Sequence, residues 1–206
     1  RSTAAELAEA AVSFLERLAV PEARPSVEFI MAHVLGVDRL RARVEGERVL
    51  GPALRRKFLA LVRKRGRRRP LSYVLGHADF MGLRILTGLG ALCPRPETEE
   101  LVVEVCRLLE EARPPRRPRI LDIGTGTGCI AVFLAKRFPD ALVTATDISP
   151  RALALARRNA ALHGVSGRIK FLKADLFRLP KLGSFDLIVA NPPYVPSRRL
   201  STLSLE

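Results

Sequence analysis

The sequence lacks the features of membrane-spanning and secreted proteins. No apolar run approaches the roughly 18 residues that a transmembrane helix needs. The first nine residues alternate charge with alanine, so they do not form the apolar core of a signal peptide. We therefore expect a cytoplasmic protein. Because the numbering begins at Arg1 without a methionine, a mitochondrial protein whose leader has been removed is the alternative.

Cysteine and histidine are scarce. The three cysteines are odd in number and lie 13 and 23 residues apart, at Cys93, Cys106 and Cys129. These spacings match neither a disulfide framework nor a zinc site. None of the three histidines has a metal-ligating partner three or four residues further along the chain. We therefore predict reduced, structural thiols and no metal site.

Acidic residues are absent from one long stretch of a chain whose net charge is +14. Nine basic residues and no acid lie between positions 55 and 69, namely Arg55, Arg56, Lys57, Arg63, Lys64, Arg65, Arg67, Arg68 and Arg69. Such a patch attracts polyanions, and RNA or a ribonucleoprotein is a natural partner. The alternative is a solvated helix face in an arginine-rich chain. Phe58 is the sole aromatic residue of this run, so base stacking is not supported.

Residues 1–75 show the apolar periodicity of helices. A first helix places apolar residues three or four positions apart, at Leu7, Ala11, Phe14, Leu15 and Leu18. A second helix is predicted to begin after Ser26 as its N-cap and to continue to Leu35. A third has the basic run on one side and, on the other, Leu54, Phe58, Leu61 and Val62. The pattern predicts a small helical bundle whose outer face is strongly positive.

The remainder of the chain changes pattern twice. Residues 76–95 form short stretches separated by glycine, which favours a hairpin connector. Pro96 suits the first position of a helix whose first turns hold three glutamates. Beyond a proline-rich linker, apolar strands at 119–123, 142–147, 169–172 and 185–190 alternate with helices at 129–137 and 150–163. We therefore predict an α/β domain at 96–206, with a parallel sheet covered on both faces.

The first predicted strand leads into a glycine-rich turn that consists of Gly124, Thr125, Gly126, Thr127 and Gly128. Glycine lets the backbone approach a ligand where a side chain would collide. The spacing is one residue shorter than the dinucleotide fingerprint, and Asp122 precedes it within the strand. A carboxylate there suits a ligand with an amino group better than one with a pyrophosphate. The alternative is a turn without a ligand.

Two more acids follow the next predicted strands. Asp147 ends the second strand, where a carboxylate can accept hydrogen bonds from both hydroxyls of a ribose. Asp175 follows the third, where it can reach an adenine amino group while Leu176 packs on the ring. A single acid would more often be a helix cap or an ion-pair partner. Three acids at successive strand ends indicate a ligand site, because ligands of open α/β sheets bind along that edge.

The last predicted strand is followed by Asn191, Pro192, Pro193 and Tyr194. The prolines fix the backbone and remove its N–H donors, which leaves the carbonyl of Pro192 beside the side-chain oxygen of Asn191. Two acceptors aimed at one spot suit a substrate NH2 group, and Tyr194 can cover the flat face of an amide or a base. The pattern indicates methyl transfer to a planar nitrogen, with catalysis by alignment.

With these residues together, the chain resembles the class I (Rossmann-like) S-adenosylmethionine-dependent methyltransferases that modify planar nitrogens. Within them it is similar to the PrmC/HemK family of glutamine methyltransferases. The discriminating stretch is Pro94–Val102, which resembles that family's signature just ahead of the catalytic domain. The helical N-terminal region and the hairpin connector also resemble the family, so the likeness covers nearly the whole chain.

This resemblance implies an activity and its site. The cofactor would be S-adenosyl-L-methionine, with S-adenosyl-L-homocysteine as product, and the substrate would be the glutamine of the GGQ tripeptide in class I peptide chain release factors. The N-terminal bundle would help to recognise the factor. Cofactor contacts would come from the loop 124–128 with Asp147, Ile148, Leu176 and Asn191. The glutamine would be held by Asn191, Pro192, Pro193 and Tyr194, with Leu92 lining the same pocket.

Three other functions fit parts of the pattern. An N-methyltransferase acting on adenine or guanine would use the same four residues, and a glutamine methyltransferase of a ribosomal protein would share the chemistry. A ribosome-binding protein without catalysis would use the basic bundle alone. The family continues for several strands beyond its Asn-Pro-Pro-Tyr loop, whereas this sequence ends at Glu206, so we expect C-terminal strands to be missing from it. We expect a monomer.

Overall fold

The computed structural model describes residues 2–112, 117–176 and 182–192, which divide along the chain into two compact units after Leu75. The helical unit comprises α1 Ala4–Arg17, α2 Ala23–Leu35, α3 Arg39–Val44, α4 Pro52–Gly66 and α5 Leu71–Leu75. The other unit begins at Gly76 and contains every β-strand of the described residues. Within those ranges no helix is long and apolar enough to cross a membrane.

The helical unit follows the predicted periodicity. Thr3 caps α1 through a capping box, in which its hydroxyl accepts from the Glu6 N–H at 3.2 Å and the Glu6 carboxylate accepts from the Thr3 N–H at 2.9 Å. The apolar faces of α1, α2 and α4 form one core, whose fully buried side chains include Leu15, Val27, Ile30 and Phe58. The three predicted helices are confirmed, and the short helices α3 and α5 were not predicted.

Two predictions in this unit were wrong. Ser26 is not an N-cap, because α2 begins three residues earlier, at Ala23, and tolerates Pro25 in its first turn, where a missing N–H costs no helical bond. Arg65 is not on the outer face. It is buried, and its guanidinium donates to the Ser26 hydroxyl at 3.1 Å, to the carbonyl of Pro21 at 2.9 Å and to that of Arg69 at 3.0 Å.

The second unit opens with an antiparallel hairpin of β1 His77–Phe80 and β2 Leu83–Leu86, as the glycine pattern predicted. Met81 and Gly82 at its turn both have positive φ, 49° and 73°, which matches the right-handed twist of the strands. The helix α6 then runs from Pro96 to Glu111, and Pro96 occupies its first turn as predicted.

A four-stranded parallel sheet carries the rest of this unit. Its strands are β3 Arg119–Ile123, β4 Leu142–Asp147, β5 Ile169–Lys173 and β6 Leu187–Ala190, in the spatial order β5-β4-β3-β6. The helices α7 Cys129–Arg137 and α8 Pro150–Leu162 follow β3 and β4. Ile120, Leu121 and Asp122 are all buried, so both faces of β3 are covered and the predicted α/β architecture is confirmed.

The burial of Arg65 leads to a stability prediction. Arg65→Ala leaves a buried hydroxyl and two carbonyls without their donor, so it should lower the free energy of unfolding by about 3 kcal/mol. Arg63→Ala, on the exposed side of α4, should change it by less than about 0.5 kcal/mol. Urea denaturation followed by far-ultraviolet circular dichroism measures both. Equal effects of the two substitutions would contradict the structural role of Arg65.

Candidate functional site

The predicted site residues converge at the carboxyl edge of the parallel sheet. In the ladder, Ile123 at the end of β3 pairs with Thr146 of β4 on one side and with Ala190 of β6 on the other. The residues that follow these positions are therefore level with one another. They are Gly124, Asp147 and Asn191. The edge where ligands of open α/β sheets bind thus carries a glycine turn, a carboxylate and a side-chain amide.

The three glycines of the turn have different roles. Gly124, Gly126 and Gly128 all have positive φ, 70°, 57° and 80°, which favours glycine at each position. A Cβ at Gly124 would meet no atom within 4 Å, and one at Gly126 would meet only a backbone oxygen at 3.9 Å. A Cβ at Gly128 would lie 2.8 Å from the Cβ of Ala156. The first two glycines therefore leave backbone open for a ligand, and the third lets α7 and α8 pack closely.

Asp147 holds the glycine turn in place. Its Oδ2 accepts from the backbone N–H of Gly126 at 2.9 Å, and its Oδ1 accepts from that of Ser149 at 2.8 Å. The Thr125 N–H donates to the carbonyl of Thr146 at 2.9 Å. A carboxylate has about four lone-pair sites, so two backbone donors leave room for ligand hydroxyls. Asp147 can therefore hold the turn and bind the hydroxyls of a ribose at the same time.

Asp122 is a buried acid without a compensating cation in the described ranges. Its Oδ2 accepts from the Thr125 hydroxyl at 2.6 Å, but its Oδ1 makes no hydrogen bond with the residues described, nor does the buried hydroxyl of Thr127. Burial raises the pKa of Asp122 from 3.8 to about 6, against the lowering effects of the Thr125 hydroxyl and the backbone N–H of Ala131, and the nearby Asp147 adds to the rise. These unpaired polar atoms beside the turn fit a ligand that brings an amino group.

Two apolar side chains stand exposed after β4 and β5. Ile148 is 64% exposed and Leu176 is 44% exposed. The N–H of Ala174 donates to the carbonyl of Asp147 at 3.1 Å, which ties the segment carrying Asp175 and Leu176 to the end of β4. Exposed apolar groups beside carboxylates suit a flat heteroaromatic ring with an exocyclic amino group.

Asn191 is oriented by a residue that was not predicted as part of the site. Its Nδ2 donates to the hydroxyl of Thr98 at 2.8 Å, and Thr98 is buried in the first turn of α6. Pro192 follows Asn191 and is half-buried, whereas Pro193 and Tyr194 lie outside the described residues. The sequence offered a signal for Thr98, because it lies in the stretch Pro94–Val102.

Leu92 lies in the segment between β2 and α6 and is 60% exposed. Its neighbour Ala91 is buried against Ala152 and Leu155 of α8. The carbonyl of Gly90 accepts from the Ser149 hydroxyl at 3.4 Å. The structure therefore places this segment beside the start of α8, close to the residues that bind Asp147, and its part in a substrate pocket stays a prediction.

None of the three cysteines forms a disulfide bond. Cys129 is buried at the start of α7, and burial raises the pKa of its thiol to about 12. Cys93 and Cys106 are half-buried. No cluster of metal-ligating side chains occurs in the described segments.

A parallel α/β sheet whose first strand enters a glycine turn, with carboxylates at the ends of the following strands, defines the class I S-adenosylmethionine-dependent methyltransferases. Comparison with known families agrees. The methyltransferase small domain matches residues 105–203, and the PrmC N-terminal domain matches residues 6–76. The chain belongs to the release factor glutamine methyltransferase family.

Two relatives support this membership. The release factor glutamine methyltransferase of Chlorobaculum tepidum is 42% identical over 207 residues, which cover 98% of this chain and 70% of the relative. That of Deinococcus radiodurans is 39% identical over 201 residues, with the same coverage of 98% and 70%. Among solved structures, TrmN from Thermus thermophilus is 38% identical over 46% of this chain and 29% of that chain, with a TM-score of 0.40.

The raised pKa of Asp122 leads to a pH prediction. Ionised Asp122 opposes folding, because its pKa is about 6 in the folded chain and 3.8 ordinarily. The resulting loss in the free energy of unfolding is absent below about pH 4 and reaches its full size above about pH 6. Asp122→Asn should therefore gain stability relative to the wild type, by up to about 3 kcal/mol, as the pH rises from 4 to 7. Urea denaturation of both proteins across this range tests it, and a difference that does not vary with pH would refute it.

Proposed function

We propose that this chain transfers a methyl group from S-adenosylmethionine to the side-chain amide nitrogen of the glutamine in the GGQ tripeptide of class I peptide chain release factors. Its membership of the family supports the reaction and the substrate. The observation that carries the proposal is the register of β3 and β6, because it sets Asn191 level with the glycine turn. An acceptor for an amide NH2 group thus lies beside the loop that approaches the methyl donor.

The cofactor is S-adenosylmethionine, and the residues at the sheet edge fit it. In our proposal the turn Gly124–Gly128 and Asp122 hold its amino acid portion, and Asp147 holds its ribose. Its adenine would lie against Ile148 and Leu176, with Asp175 near the exocyclic amino group. When bound, the cofactor supplies an electrophilic methyl group on a sulfonium and is released as S-adenosylhomocysteine.

The chain's own contribution to the reaction is alignment. An amide nitrogen is a weak nucleophile because its lone pair is delocalised into the carbonyl. Asn191 Oδ1 and the carbonyl of Pro192 would accept the two hydrogens of the substrate NH2, which raises electron density on the nitrogen and fixes its direction. Tyr194 would cover the flat face of the amide. When the new carbon–nitrogen bond has formed and the carbon–sulfur bond has broken, the nitrogen would release one of these protons to solvent water.

The helical unit supplies a surface for protein recognition in this proposal. Leu40 and Val44, one helical turn apart on α3, are 73% and 80% exposed. Arg39 and Arg43 beside them are held by ion pairs with Glu28. Exposed apolar side chains within an arginine-rich rim are typical of protein-binding surfaces. We assign recognition of the release factor to residues 1–75, linkage to 76–95 and methyl transfer to 96–206.

The outer face of α4 suits a different partner. Arg56, Arg63 and Arg67 recur seven and four residues apart, so they line one row of the helix, and Lys57 and Lys64 flank them. These five side chains form no ion pair within the described residues. The row contains no apolar centre of the kind that a protein interface needs. We therefore propose that it contacts the phosphate backbone of ribosomal RNA. We also propose a cytoplasmic location for the protein.

The rival functions draw less support from the relatives. The match to the PrmC N-terminal domain is not explained by methylation of adenine or guanine. It is not explained by methylation of a ribosomal protein either. Binding without catalysis leaves the glycine turn and the carboxylates of the sheet edge unexplained. The monomeric state stays a prediction.

The proposed reaction is tested by incubating the protein with a class I release factor and S-adenosylmethionine, followed by mass spectrometry of the factor. We expect one methyl group on the GGQ glutamine and none on a factor in which that glutamine is alanine. Asn191→Ala should lower turnover by about 100-fold and change cofactor affinity, measured by calorimetry, far less. Label on RNA with none on the factor would overturn the proposal in favour of a nucleic acid substrate.

The RNA contact is tested through its dependence on salt. Each neutralised phosphate contributes about 0.7 to 0.9 to the slope of log K against log salt concentration, so replacing Arg56, Arg63 and Arg67 with glutamine should reduce the slope by about 2 to 3. The matched control replaces Arg24, Arg39 and Arg43 with glutamine. It removes the same charge, but these three arginines form ion pairs with acidic side chains. Fluorescence titration with a short duplex RNA gives the slopes. Equal slopes for the two triple variants would exclude α4 as the contact.

A further inference from the structure

Asn159 is a buried polar side chain that the proposed reaction does not use. It lies near the end of α8 and is 0% exposed. Its Oδ1 accepts from the backbone N–H of Leu86 at 2.7 Å, and its Nδ2 donates to the carbonyls of Leu86 at 3.0 Å and Thr127 at 2.8 Å. A buried amide costs free energy unless its hydrogen bonds are made, and both hydrogens of this amide are used. Asn159 therefore joins the end of β2 to the glycine turn.

The partners of Asn159 determine which way its amide points. A backbone N–H can only donate a hydrogen bond, and a carbonyl can only accept one. A half-turn of the amide would set Nδ2 against the N–H of Leu86 and Oδ1 against two carbonyls, so all three hydrogen bonds would be lost. The link from Leu86 to Thr127 therefore has one arrangement, and burial keeps water from competing for it.

The end of the glycine turn rests on one face of α8. Gly128 is so close to Ala156 that a Cβ on the glycine would lie 2.8 Å from the Cβ of the alanine. Ala156 and Asn159 are three residues apart, so they lie on the same face of the helix. Asn159 holds the carbonyl of Thr127, the residue before Gly128. The turn is thus fixed by α8 at its end and by the Asp147 carboxylate of β4 at its middle.

A turn rich in glycine needs such support more than other turns do. Glycine has more backbone freedom than any other residue, so a ligand that binds a mobile glycine turn must offset the entropy lost in ordering it. A turn that is already held in its binding shape avoids this loss. We infer that Asn159 is a positioning residue of the cofactor site, which holds the glycine turn in the shape that binds S-adenosylmethionine. The inference rests on the cofactor site that is proposed above for this turn.

A purely structural role would fasten the hairpin to α8 without affecting the turn. His163, four residues after Asn159, makes a fastening of that kind. Its Nε2 lies 2.9 Å from the carbonyl of Arg84 in β2, and in the described residues its ring has no hydrogen bond to the turn. Asn159→Leu and His163→Leu therefore each remove a side-chain contact with the same strand, but only the first removes support from the turn. His163→Leu is the matched control.

The test measures the binding of S-adenosylhomocysteine by calorimetry. Asn159→Leu should raise the dissociation constant about tenfold, because a hydrogen bond that orders the turn is lost, whereas His163→Leu should leave it within about twofold of the wild-type value. With a release factor as substrate, Asn159→Leu should raise the KM for S-adenosylmethionine and retain kcat at saturating cofactor, since the shape of the turn affects binding and not the chemical step. Equal changes in the two variants, or an unchanged dissociation constant in Asn159→Leu, would overturn the inference.

A measurement on the wild-type chain decides the question if Asn159→Leu does not fold. The sequence contains two asparagines and no glutamine, so nuclear magnetic resonance shows side-chain amide groups from Asn159 and Asn191 alone, and Asn191→Ala assigns them. Without cofactor, the amide hydrogens of Asn159 should exchange with solvent about 100-fold more slowly than those of free asparagine. Exchange as fast as that of free asparagine would show that the turn is unsupported before the cofactor binds, and would overturn the inference.

The outcomes separate this inference from the proposed function. A wild-type protein that binds S-adenosylhomocysteine but leaves the release factor unmethylated overturns the proposed function, and the binding comparison still decides the role of Asn159. A wild-type protein that does not bind S-adenosylhomocysteine overturns the cofactor site and the inference with it. A wild-type protein that methylates the factor, with the same dissociation constant as Asn159→Leu, overturns the role of Asn159 alone.

Discussion

The parallel ladder that joins β4, β3 and β6 is the constraint on which the site depends. β3 pairs with β4 along one edge and with β6 along the other, and both pairings are parallel. Parallel pairing places carboxyl ends side by side, so a turn and two side chains that are far apart in sequence meet at one edge. A slip of one residue would exchange the two faces of a strand and would move these groups out of level with one another.

The same edge of the sheet contains residues that lower the stability of the folded chain. Asp122 sits on a buried strand with one oxygen unpaired in the described ranges, and its burial opposes ionisation. Gly124 and Gly126 have positive φ, which favours glycine, although a Cβ at either position would meet no neighbouring side chain within 4 Å. Gly128 differs, because close packing against Ala156 excludes a side chain there. Proteins retain such destabilising features at sites where the same features contribute to ligand binding.

Much of the α/β unit was predictable because its signals are local. β3 lies between Pro118 and Gly124, β4 begins with the apolar pair Leu142 and Val143, and both strands match their predicted bounds. The wrong predictions concern residues whose environment is set by contacts with residues far away in the sequence. Ser26 resembles an N-cap locally, but it is a hydrogen-bond acceptor for Arg65, 39 residues away. Arg65 resembles its exposed neighbours in sequence, but hydrogen bonds to the Ser26 hydroxyl and to the carbonyls of Pro21 and Arg69 make its burial favourable. Short helices such as α3 offer too few residues for a period to show.

The site was predictable by type but not by arrangement. The acids and glycines are recognisable because their spacing along the sequence is typical of such a site. The hydrogen bond between Asn191 and Thr98 joins a helix and a strand end that no local sequence pattern relates. Within the stretch Pro94–Val102, Thr98 accepts a hydrogen bond from Asn191 and Glu99 accepts one from the backbone N–H of Met81 in the hairpin turn. A single hydrogen bond therefore joins the first turn of α6 to the residue that follows β6, although the two residues lie 93 positions apart in the sequence.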